Sequence, residues 1–242
     1  MFKIFNKLSN SLKSPFLSAI ILCAGHSTRF GDKKQMATVC GKTVAQRTIE
    51  VFQASEFVRE IILVVPKEDI QEYQDLIVIN DFKKVSAVVT GGDTRQASAL
   101  RGFKHVSEKS KFIAIHDGAR CLITTEIIEE VFASAIENRC ACAGTKVTDT
   151  IKLVDDDGFV KRTVDREYLW NIQTPQIFDK EIYSVAVAKA LQDGIVATDD
   201  CMLVENAKFK VKLVDCGKEN IKITHKSDII LAEHIIRNRS EE

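Results

Sequence analysis

An alternation repeated along the first half of this chain limits what it can fold into. Continuous apolar runs at Ala19–Leu22, Glu60 to Val65, Val85 to Thr90 and Phe112 to His116 give way to loops and helix-like stretches, which end at about Phe52, Lys104 and Asn138. A run that is apolar at every position suits a strand buried on both faces, so the strands are parallel and helices cover both sides of the sheet. This is the α/β class. In such sheets ligands bind beyond the carboxyl ends of the strands, which makes the residues after each run the place to look for function.

The first of those loops is Cys23-Ala-Gly-His-Ser-Thr-Arg-Phe-Gly-Asp-Lys-Lys-Gln35. It breaks at Gly25 and carries three cations, Arg29, Lys33 and Lys34, at one end of a strand. Backbone N–H groups and local positive charge in that position make an anion site suited to a triphosphate. Neither common phosphate loop fits. A Walker loop closes on Gly-Lys-Ser/Thr, whereas Gly31 is followed by Asp32, and the dinucleotide fingerprint needs a glycine where His26 and Ser27 stand.

The third run leads into Gly91-Gly92-Asp93-Thr94-Arg95-Gln96-Ala97-Ser98, where two glycines would let a ligand touch the backbone. The plainer alternative is a glycine turn with Asp93 as helix N-cap. The fourth runs into Asp117-Gly118-Ala119-Arg120, a carboxylate at a strand end that could help hold a hydrated Mg²⁺ beside phosphates or could pair with Arg120. Asp149 to Val154 and Phe159 to Val164 flank an Asp-Gly turn and read as a β-hairpin, whose expected packing partner is a second copy of the chain. Thr198-Asp199-Asp200 reads as a helix cap. Lys222, between Ile221 and Ile223, points either into a site or into water.

Composition narrows the class. Thirty-four basic and 34 acidic residues give a net charge of zero over 242 residues, which argues against a broad nucleic-acid face. Seven cysteines without a Cys-x-x-Cys pair suit buried thiols in a reducing cytosol, with Cys140 and Cys142 on one face of a strand. A cytoplasmic location without stable membrane insertion is expected. One domain, residues 18–242, follows an extension of residues 1–17 in which Phe2, Phe5, Leu8 and Leu12 are helically spaced among Lys3, Lys7 and Lys13. Such a helix can lie on a membrane surface, although a mobile extension is the plainer reading.

Taken in order, the Ala-Gly loop, Lys34-Gln35, Gly92 to Ser98, His116-Asp117 to Arg120, Asp149-Thr150, Arg166 to Trp170, Gln173 to Gln176, Thr198 to Asp200 and Asn220 to Thr224 resemble the 2-C-methyl-D-erythritol 4-phosphate cytidylyltransferase family from about Ser18 to the last helix. The resemblance implies a Rossmann-like, mostly parallel sheet with a hairpin arm at about residues 148–166 that hooks onto a partner in a homodimer. It also implies CTP and a polyol phosphate as substrates with Mg²⁺ as cofactor. By the same resemblance Arg29, Lys34, Arg166 and Lys222 are catalytic, and Ala24, Gly25, Gly92, Asp93, Ser98, Asp117 and Gly118 bind CTP. Thr150, Arg166, Thr174, Thr198 and Lys222 bind the acceptor, and Asp117 assists the metal mainly through phosphates.

Several positions depart from the family pattern. Lys33 stands where a proline is usual, Met36 replaces an aromatic, Gly118 an alanine and Cys121 a proline, while His26 and Ser27 make the loop less glycine-rich. The extension before Pro15 has no family counterpart. Two alternatives stay open on sequence: a ribitol or other pentitol phosphate as acceptor, and a CTP-binding module without turnover.

Overall fold

A computed structural model of the protein describes residues 15–25 and 29–241. The amphipathic reading of the extension and the positions of His26 and Ser27 lie outside them.

The first apolar run forms β1 (Leu17–Leu22), every residue of which is buried. A small antiparallel pair, β2 (Thr38–Val39) and β3 (Lys42–Thr43), leads into α1 (Val44–Ala54), which Thr43 caps by accepting from the Gln46 N–H. Strand β4 (Val58–Val65) and helix α2 (Ile70–Ile79) follow. No reading of the apolar runs marks α2, because although Ile70, Tyr73, Leu76 and Ile77 pack on the core, Val78 and Ile79 beside them face outward and blur the stripe.

Next come β5 (Val85–Thr90), α3 (Arg95–Phe103), β6 (Phe112–Asp117), α4 (Thr125–Asn138) and β7 (Cys140–Lys146). Thr94 rather than Asp93 caps α3, accepting from the Ala97 N–H. The expected hairpin is β8 (Ile151–Val154) with β9 (Val160–Val164), its turn held by the Asp155 side chain accepting from the Asp157 and Phe159 N–H groups. Gly158 sits there at φ +86°, which only glycine adopts without strain. Leu153, Phe159 and Val160 of this arm are exposed. Strand β10 (Trp170–Asp179), α5 (Lys180–Asp193), α6 (Asp200–Asn206), β11 (Lys212–Asp215) and α7 (Ser227–Glu241) complete the described chain. Residues 220–224 form no strand, so Lys222 sits in a loop.

The main sheet has seven strands in the order β11-β7-β10-β6-β1-β4-β5. All its pairings are parallel except those of β10, which runs antiparallel to both β6 and β7. The pleat of β1 feeds two layers. Ala19 and Ile21 pack with Ile49, Phe52, Leu63 and Phe132 on one face, and Ile20 and Leu22 with Val64, Ile115 and Tyr183 on the other. Burying each such Ile or Leu contributes about 1.5–3 kcal/mol, so both faces must stay covered. Cys140 and Cys142 share the second layer, as their spacing implies, and all seven cysteines are free thiols. Among the described residues no helix is long and apolar enough to cross a membrane.

Candidate active site

From β1 the chain runs outward through β4 to β5, then returns to lay β6 on the other side of β1. This reversal opens a crevice beyond the carboxyl ends of β1 and β6, where Leu22 and Asp117 stand side by side in register. The loops that the sequence marks as functional rise from those two ends.

Two clefts meet there. The smaller, about 190 Å³, is lined by Ala24, Gly25, Lys34, Gly92, Asp93 and Ser98 among others. The larger, about 580 Å³, includes Arg120, Thr174, Gln176 and Thr198 in its wall. Arg95, Asp117 and Lys222 line both. Asp117 therefore sits on the boundary with one carboxylate oxygen 3.1 Å from Arg95 Nε and the other 2.7 Å from Lys222 Nζ. Burial alone would raise this carboxyl, but the charges of Arg95 and Lys222 outweigh it and hold the group well below the usual carboxylate range. The pairing with Arg120 left open by the sequence is not made. The half-buried Arg120 guanidinium instead donates to the Asn220 and Ile172 carbonyls.

Beneath the boundary lies a fully buried hydrogen-bond relay. The Asp117 N–H donates to Thr174 Oγ1 at 3.0 Å, and Thr174 Oγ1 lies 3.0 Å from His116 Nδ1. With Nε2 facing the Arg120 carbonyl at 3.3 Å, the consistent assignment is a neutral imidazole carrying its proton on Nε2. Burial pushes the His116 pKa down to about 3, which keeps it in that form. Thr174, expected to meet the acceptor, thus lines the larger cleft while its hydroxyl already braces the strand end.

Lys34 is half-buried, and burial first, then the like charges of Lys222 and Arg29, lower its pKa. Lys34, Arg95 and Lys222 line the smaller cleft with Asp93 and Asp117, and Arg29, which lines neither cleft, adds its charge from nearby, a positive surplus that suits an anion. The glycine pair has a packing role as well. A Cβ on Gly91 would lie 2.2 Å from the Ala24 Cβ, and one on Gly92 would lie 2.6 Å from the Ala97 Cβ. Ser98 Oγ accepts from the Gly92 N–H at 3.0 Å, closing the glycine turn onto the first turn of α3. Gly118 lines neither cleft; a Cβ there would meet Cys23 Sγ at 2.4 Å. Thr150 and Arg166 stand exposed on the arm, where Arg166 donates to the Thr148 carbonyl at 2.6 Å.

Arg95 is the main omission of the sequence analysis. Its Nη1 also binds the buried Asp200 carboxylate at 2.6 Å, and Asp200 in turn accepts from the Tyr183 hydroxyl at 2.7 Å. A cation in the first turn of a helix is unfavourable to the helix dipole, so its place in α3 was a signal that an acidic partner waits nearby. Among the described residues no cluster of three or more His, Cys, Asp or Glu could cage a metal ion. Asp117 offers a single carboxylate already facing two cations, a donor set that fits a divalent ion only if phosphates supply most of its ligands.

Residues 17–238 match the family model described as "IspD: 2-C-methyl-D-erythritol 4-phosphate cytidylyltransferase". The chain is 42% identical to the protein of that name from Caldanaerobacter subterraneus subsp. tengcongensis, covering 91% of this chain and 99% of the relative. It is 38% identical to the one from Alkaliphilus oremlandii, over 93% of this chain and 96% of that relative. The fold superposes on the crystal structure of 4-diphosphocytidyl-2C-methyl-D-erythritol synthase from Anaerococcus prevotii with a TM-score of 0.84 at 33% identity, covering 93% of this chain and 100% of the other. On fold, site and likeness together, the chain belongs to the IspD family of 2-C-methyl-D-erythritol 4-phosphate cytidylyltransferases.

Proposed function

We propose that this chain transfers the cytidylyl group of CTP to 2-C-methyl-D-erythritol 4-phosphate, giving 4-diphosphocytidyl-2-C-methyl-D-erythritol and pyrophosphate. The observation that carries the reading is the position of Asp117, held by Arg95 and Lys222 where the cleft lined by the β1 loop and the glycine pair joins the larger cleft. A reaction between two bound phosphates needs such a junction.

In this reading the nucleoside occupies the smaller cleft against Ala24, Gly25, Gly92, Asp93 and Ser98, with Asp117 near the ribose and Gly118 supporting it from behind the cleft wall. Arg29 and Lys34 neutralise the triphosphate. The acceptor lies in the larger cleft beside Thr174, Thr198 and Lys222, and Thr150 and Arg166 reach it from the arm of a second copy in a homodimer. An oxygen of the acceptor phosphate attacks the α-phosphorus of CTP as the bond to the β-phosphate breaks, and pyrophosphate leaves with the bonding electrons. The nucleophile is already an anion, so no general base is required, and the barrier falls through positioning and charge stabilisation. A divalent cation such as Mg²⁺, when bound, neutralises phosphate charge, and Asp117 is the side chain placed to assist in holding it. Soluble, charged substrates suit a cytoplasmic enzyme.

The acceptor is tested by comparing kcat/KM for methylerythritol 4-phosphate and ribitol 5-phosphate. A site shaped for the branched substrate leaves a straight pentitol imperfectly paired, at a cost of about 1–3 kcal/mol or roughly ten- to a hundred-fold. The expected preference is at least about ten-fold for the branched compound. The reverse order would move the chain to the pentitol reaction with its CTP chemistry intact.

A further inference from the structure

Lys33 and Lys34 are neighbours in sequence, yet they face different walls of the loop. Lys34 lines the smaller cleft at the junction, whereas Lys33 lines an adjoining cleft of about 560 Å³ that shares Ala24, Gly25, Gly92 and Asp93 with it and opens toward α2. There the Lys33 ammonium binds the Asp69 carboxylate and lies 3.2 Å from Glu72 Oε2. The anchor is firm on one side only: the Asp69 side chain is 8% exposed and that of Lys33 is 53% exposed. Asp69 ends the short turn Lys67–Asp69 that leads directly into α2.

A half-exposed ion pair of this kind adds little to global stability, so its consequence is local. Burial and the repulsion of Lys222 and Arg29 outweigh the attraction of Asp117 at Lys34, which before CTP binds favours a loop with Lys34 turned out of the cleft. The turn that carries both lysines is stiff. Asp32 Oδ1 accepts from the Lys33 N–H at 2.7 Å, the Lys33 carbonyl accepts from the Met36 N–H at 3.0 Å, and the Lys34 carbonyl accepts from the Ala37 N–H at 3.2 Å. A turn tied in this way moves as a unit, so holding Lys33 also holds Lys34.

We propose that Lys33 is a positioning residue for the cytidylyl transfer: its clamp on Asp69 and Glu72 keeps the adjacent Lys34 aimed at the triphosphate of CTP. The inference rests on the assignment of CTP to the smaller cleft. Lys33 touches no reacting group and acts through its neighbour.

Four variants separate this role from direct phosphate binding: Lys33→Met, Asp69→Asn, the double variant, and Lys33→Arg. KM for CTP and kcat are measured separately, with CTP affinity by calorimetry and a thermal melt for each. Lys33→Met and Asp69→Asn are each expected to weaken CTP by about three- to ten-fold through looser positioning, and the double variant to be no worse than either. Lys33→Arg keeps the clamp and should restore most of the affinity. Should Asp69→Asn fail to fold, Glu72→Gln on the surface carries the same test with a smaller shift in the same direction. Two outcomes would overturn the proposal: Lys33→Met with wild-type CTP affinity, or Asp69→Asn binding CTP at least as well as wild type while Lys33→Met binds worse, since a freed ammonium would then be meeting phosphate itself. A wild-type protein that releases no pyrophosphate counts against the functional reading, whereas the calorimetric comparison still decides the clamp.

Discussion

Asp117 and Lys222 lie 105 residues apart in sequence and meet at 2.7 Å on the boundary between the two clefts. A loop and a strand end with no local relationship thus build one charged junction. Replacing Lys222 with Ala removes a preorganised cation and leaves Asp117 to Arg95, so kcat/KM is expected to fall by about a hundred- to a thousand-fold with the fold retained. Steady-state kinetics beside a thermal melt checks this; a variant with more than about a third of wild-type kcat/KM would remove Lys222 from the catalytic set.

His116 sets a pH dependence of stability. Its pKa is lowered to about 3 by burial, against about 6.5 in the unfolded chain, so between those values the unfolded state binds a proton that the folded state does not. Stability should therefore fall as pH drops from about 6.5 toward 3, by up to about 1.4 kcal/mol per pH unit. Asp117 has its pKa depressed, so its contribution is present above about pH 4 and fades only below it. Urea unfolding of wild type and His116→Gln at pH 7 and pH 4.5 separates the two. The variant should show the shallower pH slope, and equal slopes would rule His116 out as the source.

Cys23 and Gly118 are matched to each other. Because a Cβ at residue 118 would lie 2.4 Å from the buried Cys23 thiol, Gly118→Ala should destabilise by about 1–3 kcal/mol through overpacking. Cys23→Ala in the same chain frees that space and should recover most of the loss. Denaturant midpoints for the two singles and the double give the coupling directly, and additive effects would show that the two positions accommodate each other independently.

The exposed arm carries the dimer prediction. If Arg166 serves the site of the other copy, mixing Arg166→Ala subunits with Lys34→Ala subunits gives heterodimers with one site bearing both lesions and one bearing neither. Activity above either parent after subunit exchange is the expected outcome. Exchanged mixtures as inactive as the parents would place Arg166 and Lys34 in the same chain's site.

Much of this was legible in the sequence because the signals were local. The apolar runs of β1, β4 and β6 are buried within a parallel sheet that β5 edges with only partial cover, and the Asp-Gly turn with its alternating flanks announced the hairpin. Strand β10 was not legible: it lies between β6 and β7 against the direction of the rest, and Gln173, Thr174 and Pro175 interrupt its apolar pattern at the site. Lys222 could not be placed because its partner is 105 residues away. Arg95 was hidden for the same reason, since Asp200, which fixes it, belongs to a different helix.

The measurement that bears most directly on the proposed reaction is pyrophosphate release on mixing the protein with CTP, Mg²⁺ and 2-C-methyl-D-erythritol 4-phosphate, with the nucleotide product identified by mass. The expected result is one pyrophosphate and one cytidine diphosphate conjugate for each acceptor consumed, none without acceptor, and a rate lowered by about two to four powers of ten in Lys34→Ala. Pyrophosphate release that ignores the acceptor, or CTP binding with no conjugate formed at any concentration of acceptor, would contradict it.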